Sequence, residues 1–433
     1  MVFAAAVFLF SACSKADRDG VPQKSYTLTE IYQYTPDEFA GHVFNPENPI
    51  WAGQEPWMVS AMQALVRAKN TSLDEKMARE AAGAESGWGY RKFVLEYQSK
   101  DAQGKSITLS EVVALPVGIG RDHHPDKILL NSHYTLYADE ERPSGPYADI
   151  MMAATSSDAV FICPDLEGYG ASADRVHPYL AHEVAARQSI DGVLAALQML
   201  EDQGIRLEED YRLFNVGYSQ GASNALAIHR YIENRCSRKE QERIRLEKSI
   251  CCAGAYAPKE TLLWYAQQEQ ALFPSAFPLI VEGMLRAHPS TMAGLRAEDF
   301  FTQEFIDAGI FDFIHKKAVG GLALHSFIHE NVGWAITDIL SEEVLTPGTK
   351  ARTALEKALA EEDLTQGWKP VQPVQLYHAT DDQYVPFLNA TLAMLGLGTG
   401  NIRLSYIPPF AGSQAHLLTG LVYYSRLIIG ELE

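Results

Sequence analysis

The sequence predicts an α/β fold: a mostly parallel central sheet flanked by helices, with a helical block inserted before the strand that ends in an acidic pair. Three observations carry that expectation. Short, fully apolar runs bounded by turn residues recur along the chain, the pattern of strands buried on both sheet faces. Amphipathic helical periods separate these runs, so strand and helix alternate. One block, residues 259–367, breaks the alternation with helical periods alone.

Arg91 to Gln98 reads as a strand, Asp101 to Lys105 as a glycine-containing turn, and Ser106 to Pro116 as the antiparallel partner. Buried runs follow at Lys127–Asn131, Ala159–Cys163, Tyr211–Gly217, Ser249–Ala255, Val374–Tyr377 and Ile402–Ile407. Between them Ile190, Val193, Leu194, Leu197 and Leu200 share one helical face, and Gly204 stops that helix. Ala222–Ile232 makes another helix, and Gln414–Ile429 closes the chain with Leu417, Leu421, Tyr424, Leu427 and Ile428. The inserted block holds amphipathic segments at Pro278–Ala287, Ala297–Lys317 and Lys350–Glu362, and its place between two core strands suits a cap over the sheet. The organisation is thus a leader and tether at 1–25, an N-terminal extension at 26–90, a core in two parts (91–258 and 368–433), and a cap at 259–367. Residues 26–90 carry no assignable pattern and are expected to precede the sheet.

The chain's 433 residues include 36 basic and 55 acidic ones, a formal charge of −19. Such a surface repels nucleic acid and anionic lipid headgroups. Its richest basic stretch, Arg235–Lys248, is interleaved with Glu240, Glu242 and Glu247 and reads as a solvated helix face. Cys163, Cys236, Cys251 and Cys252 allow three pairings or none, and no Cys/His cluster has zinc spacing. No metal and no cofactor is expected.

The chemistry is concentrated at Gly217-Tyr218-Ser219-Gln220-Gly221. At ordinary residue frequencies roughly one chain of this length in ten contains G-x-S-x-G by chance. Here an apolar run leads in through Val216 and a helix leads out from Ala222, the strand-to-helix turn of a nucleophile elbow. Gly217 and Gly221 let strand and helix approach closely around it. A serine hydroxyl needs a base, and the base needs an orienting carboxylate. In this arrangement the chain order is Ser, acid, His. His416 is the one histidine after Asp382, and Asp381 and Asp382 are the only carboxylates between Val371 and His416.

His378-Ala379-Thr380-Asp381-Asp382-Gln383-Tyr384-Val385-Pro386 resembles the acid loop of the α/β-hydrolase superfamily, and that resemblance selects Asp382, leaving Asp381 as a neighbour facing solvent and His378 as a shaper of the loop. Pro164-Asp165-Leu166-Glu167-Gly168-Tyr169-Gly170-Ala171-Ser172 with His177-Pro178-Tyr179-Leu180, and Trp368 with Pro370 and Pro373-Val374, narrow it to secretory lipases and their bacterial relatives. Asp165 and Tyr169 read as structural. The resemblance implies the α/β-hydrolase fold and hydrolysis of an apolar acyl ester, from a small molecule or a lipid, through Ser219, Asp382 and His416. One oxyanion donor is then the backbone N–H of Gln220. The second comes from His133-Tyr134-Thr135, which stands where relatives carry His-Gly-Thr. Tyr134 in place of glycine leaves Tyr134 and Thr135 both open, with Thr135 preferred. A serine peptidase on the same fold and a non-catalytic envelope binding lipoprotein are the competing readings. In the cap, Phe273, Phe277, Phe300, Phe301, Phe305 and Phe313 suit an apolar acyl site.

Val2–Phe10 is an apolar run too short to span a bilayer. Leu9-Phe10-Ser11-Ala12-Cys13 resembles the lipobox of bacterial lipoproteins, which implies lipidation at Cys13, export, and a lipid anchor in the cell envelope.

Overall fold

The computed structural model describes residues 25–51, 54–80, 88–118, 124–154, 159–398, 400–410 and 414–430. The expected lipobox with Cys13 lies outside them. The strands are β1 (Tyr26–Tyr34), β2 (Trp88–Lys100), β3 (Ser106–Gly118), β4 (Lys127–Ser132), β5 (Ala159–Pro164), β6 (Arg212–Tyr218), β7 (Leu246–Cys252), β8 (Val374–Ala379) and β9 (Ile402–Ile407). They form one nine-stranded sheet in the order β1-β2-β3-β5-β4-β6-β7-β8-β9. From β5 to β9 every pairing is parallel, while β1, β2 and β3 join antiparallel. The apolar runs account for this. All of β5 is buried, and so is all of β4 beyond Lys127, as a strand covered on both faces requires.

One face is covered by α3 (His182–Asp202) and α4 (Gln220–Asn234), which bury Ile190, Val193, Leu197, Ala225 and Ile228 against the strands. The other is covered by the chain's two ends. There α1 (Pro36–Val43) and α2 (Pro56–Glu80) bury Phe39, Val43, Met62 and Val66 in the same cluster as Tyr423, Leu427 and Ile428 of the last helix, Ala415–Ile429. The N-terminal extension therefore does not simply precede the sheet. Its Tyr26–Tyr34 adds an edge strand, registered from Tyr26 opposite Tyr97 to Tyr34 opposite Tyr90. Only Tyr26 and Tyr34 of β1 are buried, so an edge strand with a mostly solvated surface leaves neither an apolar run nor a clean alternation to read.

After α5 (Arg238–Ile244) and β7, the chain leaves the sheet for the cap: α6 (Pro258–Tyr265), α7 (Ala276–Ala287), α8 (Gln303–Asp307), α9 (Ile310–Lys316), α10 (Gly321–Asn331), α11 (Ile336–Ile339), α12 (Glu342–Leu345) and α13 (Lys350–Glu361). It then returns through β8, α14 (Leu388–Leu397), β9 and α15 (Ala415–Ile429). The segment expected as one amphipathic stretch over Ala297–Lys317 is divided. Thr302 caps a new helix by accepting from the Phe305 amide, and Gly309 turns the chain with a left-handed φ of 72°.

The cap has its own apolar centre, including Met284, Phe300, Phe305, Ile310, Leu324 and Ile328, which continues into Tyr179, Leu180 and Val385 of the core loops. Polar clamps hold it down. Arg286 lies 2.7 Å from Glu167 and 3.3 Å from Asp101, both buried. Lys317 donates to the carbonyls of Gly168, Ala173 and Arg175. Among the described residues no disulfide joins Cys163, Cys236, Cys251 and Cys252, and no helix is long and apolar enough to cross a membrane.

Candidate active site

Ser219 stands between β6 and α4 with φ 57° and ψ −123°, a conformation that costs a non-glycine residue about 1–3 kcal/mol. Its surroundings enforce the turn. A Cβ on Gly217 would fall 2.0 Å from the Gly221 carbonyl oxygen, and one on Gly221 would fall 2.0 Å from that of Ser132. Neither position accepts a side chain, because strand, helix and the loop after β4 share that space. The Ser219 amide donates to the Cys252 carbonyl at 2.9 Å, tying the elbow to β7. The serine is thus half-buried at a helix N-terminus and borders a pocket, where the dipole favours negative charge.

Asp382 follows β8 in a tight loop. Its Oδ1 accepts from the amides of Tyr384 (3.0 Å) and Val385 (2.9 Å), leaving Oδ2 for His416 Nδ1 at 2.7 Å. Nδ1 facing a carboxylate carries the ring proton, so Nε2 is the acceptor for the Ser219 hydroxyl 2.9 Å away. Burial pushes the Asp382 carboxyl up, but the charges and hydrogen bonds of His416 and His378 outweigh it and hold the group well below the usual carboxylate range. Ser219, His416 and Asp382, far apart in the sequence, form one continuous relay.

His378 does hold the loop, as expected: its Nε2 is 2.9 Å from the Val385 carbonyl and 3.4 Å from Asp382 Oδ2. A carbonyl only accepts, so Nε2 carries the proton here. Asp381 departs from the expectation that it faces solvent. It is half-buried and accepts from the Phe410 amide at 2.8 Å, which draws the chain after β9 towards the acid loop. Asp165 accepts from Ser110 Oγ (2.5 Å) and the Ser144 amide (2.8 Å), and Tyr169 donates to the Leu136 carbonyl (2.6 Å); both brace loops around the site.

Gln220 begins α4, with its amide next to Ser219. Its side chain is fixed by a relay of its own. His177 Nδ1 lies 2.6 Å from the Glu167 carbonyl, and His177 Nε2 lies 2.7 Å from Gln220 Nε2. The carbonyl accepts from Nδ1–H, so Nε2 accepts from the glutamine amide. Burial lowers the His177 pKa to about 3, which keeps it neutral for that task. Tyr134 and Thr135 both border the pocket above Ser219, and the Thr135 hydroxyl is 2.9 Å from the Tyr179 hydroxyl. The loop that carries them is pressed onto the start of α4, with the Ser132 and His133 carbonyls filling the space beside Gly221.

Two residues of the site went unnoticed in the sequence. Tyr218, a variable position of the motif, donates to the His416 carbonyl at 2.8 Å, and Gly420 leaves room for its ring, which a Cβ would meet at 2.7 Å. Tyr384 stacks on Phe273 of the cap and places its ring 5.4 Å from that of His416. Tyr218 was legible only as a motif filler, and Tyr384 only as a member of the acid loop.

Two arms leave Ser219 and His416. One runs beneath the cap between Leu262, Phe277, Ile280, Leu359 and Val385. The other runs past Tyr134, Glu141 and Leu417 to an adjoining apolar cavity lined by Trp51, Met58, Met62 and Leu421, so the N-terminal extension helps to enclose the site. Among the described residues no group of three or more His, Cys, Asp or Glu side chains is placed to hold a metal ion.

No family model and no curated protein matches the chain. Solved structures do match. The rice cell wall degrading esterase LipA from Xanthomonas oryzae superposes with a TM-score of 0.69 at 19% identity, over 95% of this chain and 99% of that one. Candida antarctica lipase A in its closed state gives 0.55 at 15% identity, over 81% and 79%. The chain has the α/β-hydrolase fold: a mostly parallel sheet flanked by helices, with the elbow serine at the end of β6.

Proposed function

We propose that this protein is a serine ester hydrolase that cleaves apolar acyl esters through an acyl-enzyme. The observation that carries the reading is the unbroken relay from Ser219 through His416 to Asp382, at 2.9 and 2.7 Å, on a strained elbow. His416 Nε2 takes the hydroxyl proton as Ser219 Oγ attacks the ester carbonyl. Asp382 keeps the imidazole in the required tautomer and stabilises its cation. The Gln220 amide and the Tyr134–Thr135 segment, with Thr135 the preferred donor, bind the oxyanion. His416 then protonates the departing alcohol and activates the water that frees the acyl group. The apolar arm beneath the cap supports an acyl site, and the two solved relatives are described as an esterase and a lipase, in keeping with ester chemistry.

The test is hydrolysis of p-nitrophenyl esters from acetate to palmitate, wild type beside Ser219→Ala. Turnover that falls by roughly 10⁴ to 10⁶ in the variant is expected. Near wild-type turnover in the variant would remove Ser219 from the mechanism, and no turnover of any ester by the wild type would move the reading to peptide bonds. The chain-length profile separates a short-chain esterase from a lipase.

The same reading includes export and lipidation at Cys13, supported by the Leu9–Cys13 motif. Radiolabelled palmitate incorporated by the wild type and lost in Cys13→Ala is the expected result. Equal labelling of both would contradict it.

A further inference from the structure

Glu141 is the single carboxylate among the described residues bordering the pocket above Ser219, and no lysine or arginine borders it. Its Oε2 accepts from both the Tyr137 amide (2.8 Å) and the Ala138 amide (3.0 Å), which meets the needs of that turn with one oxygen. Oε1 makes no hydrogen bond to any described residue. The nearest cation in sequence, Arg142, is turned to Asp139 at 2.6 Å. The cap meets Glu141 with bare backbone. A Cβ on Gly320 would come 3.2 Å from Oε1, and one on Gly321 would come 2.6 Å from the Tyr137 ring, so at these two positions the cap offers no side chain to pair with the carboxylate. A half-buried acceptor that lines the same pocket as Ser219 and receives no donor from the described residues is open to a donor carried by the substrate. Burial pushes the Glu141 pKa up to about 7, against the lowering effect of the two amides, in agreement with that position.

The two arms also differ in what they suit. The cap arm is the more enclosed and is lined mostly by apolar side chains, fit to hold an acyl chain for the lifetime of an acyl-enzyme. The Glu141 arm opens more widely to solvent, fit for the part that departs in the first step and for the water that enters in the second. We propose that this arm is the alcohol subsite and that Glu141 Oε1 accepts a hydrogen bond from a hydroxyl the leaving alcohol carries beyond its ester oxygen. The substrate class is then a partial ester of a polyol with an apolar acyl group. This rests on the ester-hydrolase reading. Glu141 acts in specificity and takes no part in the relay.

The experiment compares kcat/KM for glyceryl monobutyrate, ethyl butyrate and butyrylcholine in wild type, Glu141→Gln and Glu141→Leu. The readout is the ratio between substrates within one protein, so loss of folded enzyme cancels. Wild type is expected to favour glyceryl monobutyrate over ethyl butyrate by about tenfold to a hundredfold, the range for a hydrogen bond to a charged group. Glu141→Leu brings that ratio close to one. Glu141→Gln, whose carbonyl can still receive both amides, retains part of it, because a hydroxyl can accept from the new NH₂. Wild type that does not distinguish the glyceryl from the ethyl ester, or a ratio that survives in Glu141→Leu, would overturn the proposal while leaving ester hydrolysis intact. A wild-type preference for butyrylcholine over glyceryl monobutyrate would make the arm a cation site and would also overturn it. Failure to turn over any of the three esters would remove the hydrolase reading, and the proposal with it.

Discussion

Below the substrate space, each reacting residue is held by hydrogen bonds in which backbone takes part: two amides on Asp382, the Tyr218 hydroxyl on the His416 carbonyl, the Cys252 carbonyl on the Ser219 amide. Above it, the enclosing surface is mostly side chains in apolar contact, Leu262, Phe277 and Ile280 on one side, Trp51, Met58 and Met62 on the other. The floor fixes distances to within a hydrogen bond and tolerates little substitution. The roof fixes volume and polarity, and many sequences meet that demand. The difference teaches where reaction and selectivity reside: exchange in the floor should stop chemistry, whereas exchange in the roof should redirect it.

The largest effect expected from breaking the floor is at Asp382. Asp382→Asn cannot favour the required imidazole tautomer, and kcat on p-nitrophenyl butyrate should fall by about 10⁴ with little change in KM. Asp381→Asn, one residue away, should cost less than about tenfold, because the Asp381 carboxylate receives the Phe410 amide while Asp382 receives the His416 ring. Equal losses at the two aspartates would dissolve the distinction between them. In the roof, Leu262→Trp fills part of the cap arm. The ratio of kcat/KM for p-nitrophenyl octanoate to that for the acetate should drop by about tenfold or more, from steric exclusion of the longer chain. A kcat loss uniform across chain lengths would mean that the cap arm does not hold the acyl group.

The smallest effect concerns stability. Glu141 has a folded pKa raised to about 7. Such a group contributes stability fully present below the ordinary carboxylate range and lost as pH rises through its folded value. The melting temperature of wild type relative to Glu141→Gln should therefore fall between about pH 4 and pH 7 and level off above. The opposing contribution of Asp382 is common to both proteins and cancels. A difference that stays flat with pH would place Glu141 in open solvent and weaken the contrast between the two arms.

The floor was largely legible in the sequence because its chemistry demands particular residue types at sharp turns. G-x-S-x-G marks a turn that only glycines allow, and the order of Asp382 before His416 left little freedom. Buried strands from β4 to β8 were legible as apolar runs, with ends shifted by a residue or a few, whereas β9, expected as a buried run, is an edge strand with only Ile402 and Ile407 buried. The roof was not, for a physical reason. Met58 and Met62 of α2 could sit on any amphipathic helix, and nothing local links them to a serine some 160 positions away. The edge strand β1 is mostly solvated, and Glu141 belongs to no motif, since its meaning depends on the loop and the glycines folded against it. The half-buried setting of Asp381 is not legible because the backbone that uses it arrives from beyond β9, a contact no local pattern carries.

The most direct test of the account is to treat the folded protein with a fluorophosphonate and map the adduct by mass spectrometry, in wild type and in His416→Ala. One adduct per chain is expected, on the peptide carrying Ser219, lost in the variant and on prior unfolding. An unmodified Ser219, or labelling that persists at the same rate without His416, would contradict the central claim that the relay activates this serine.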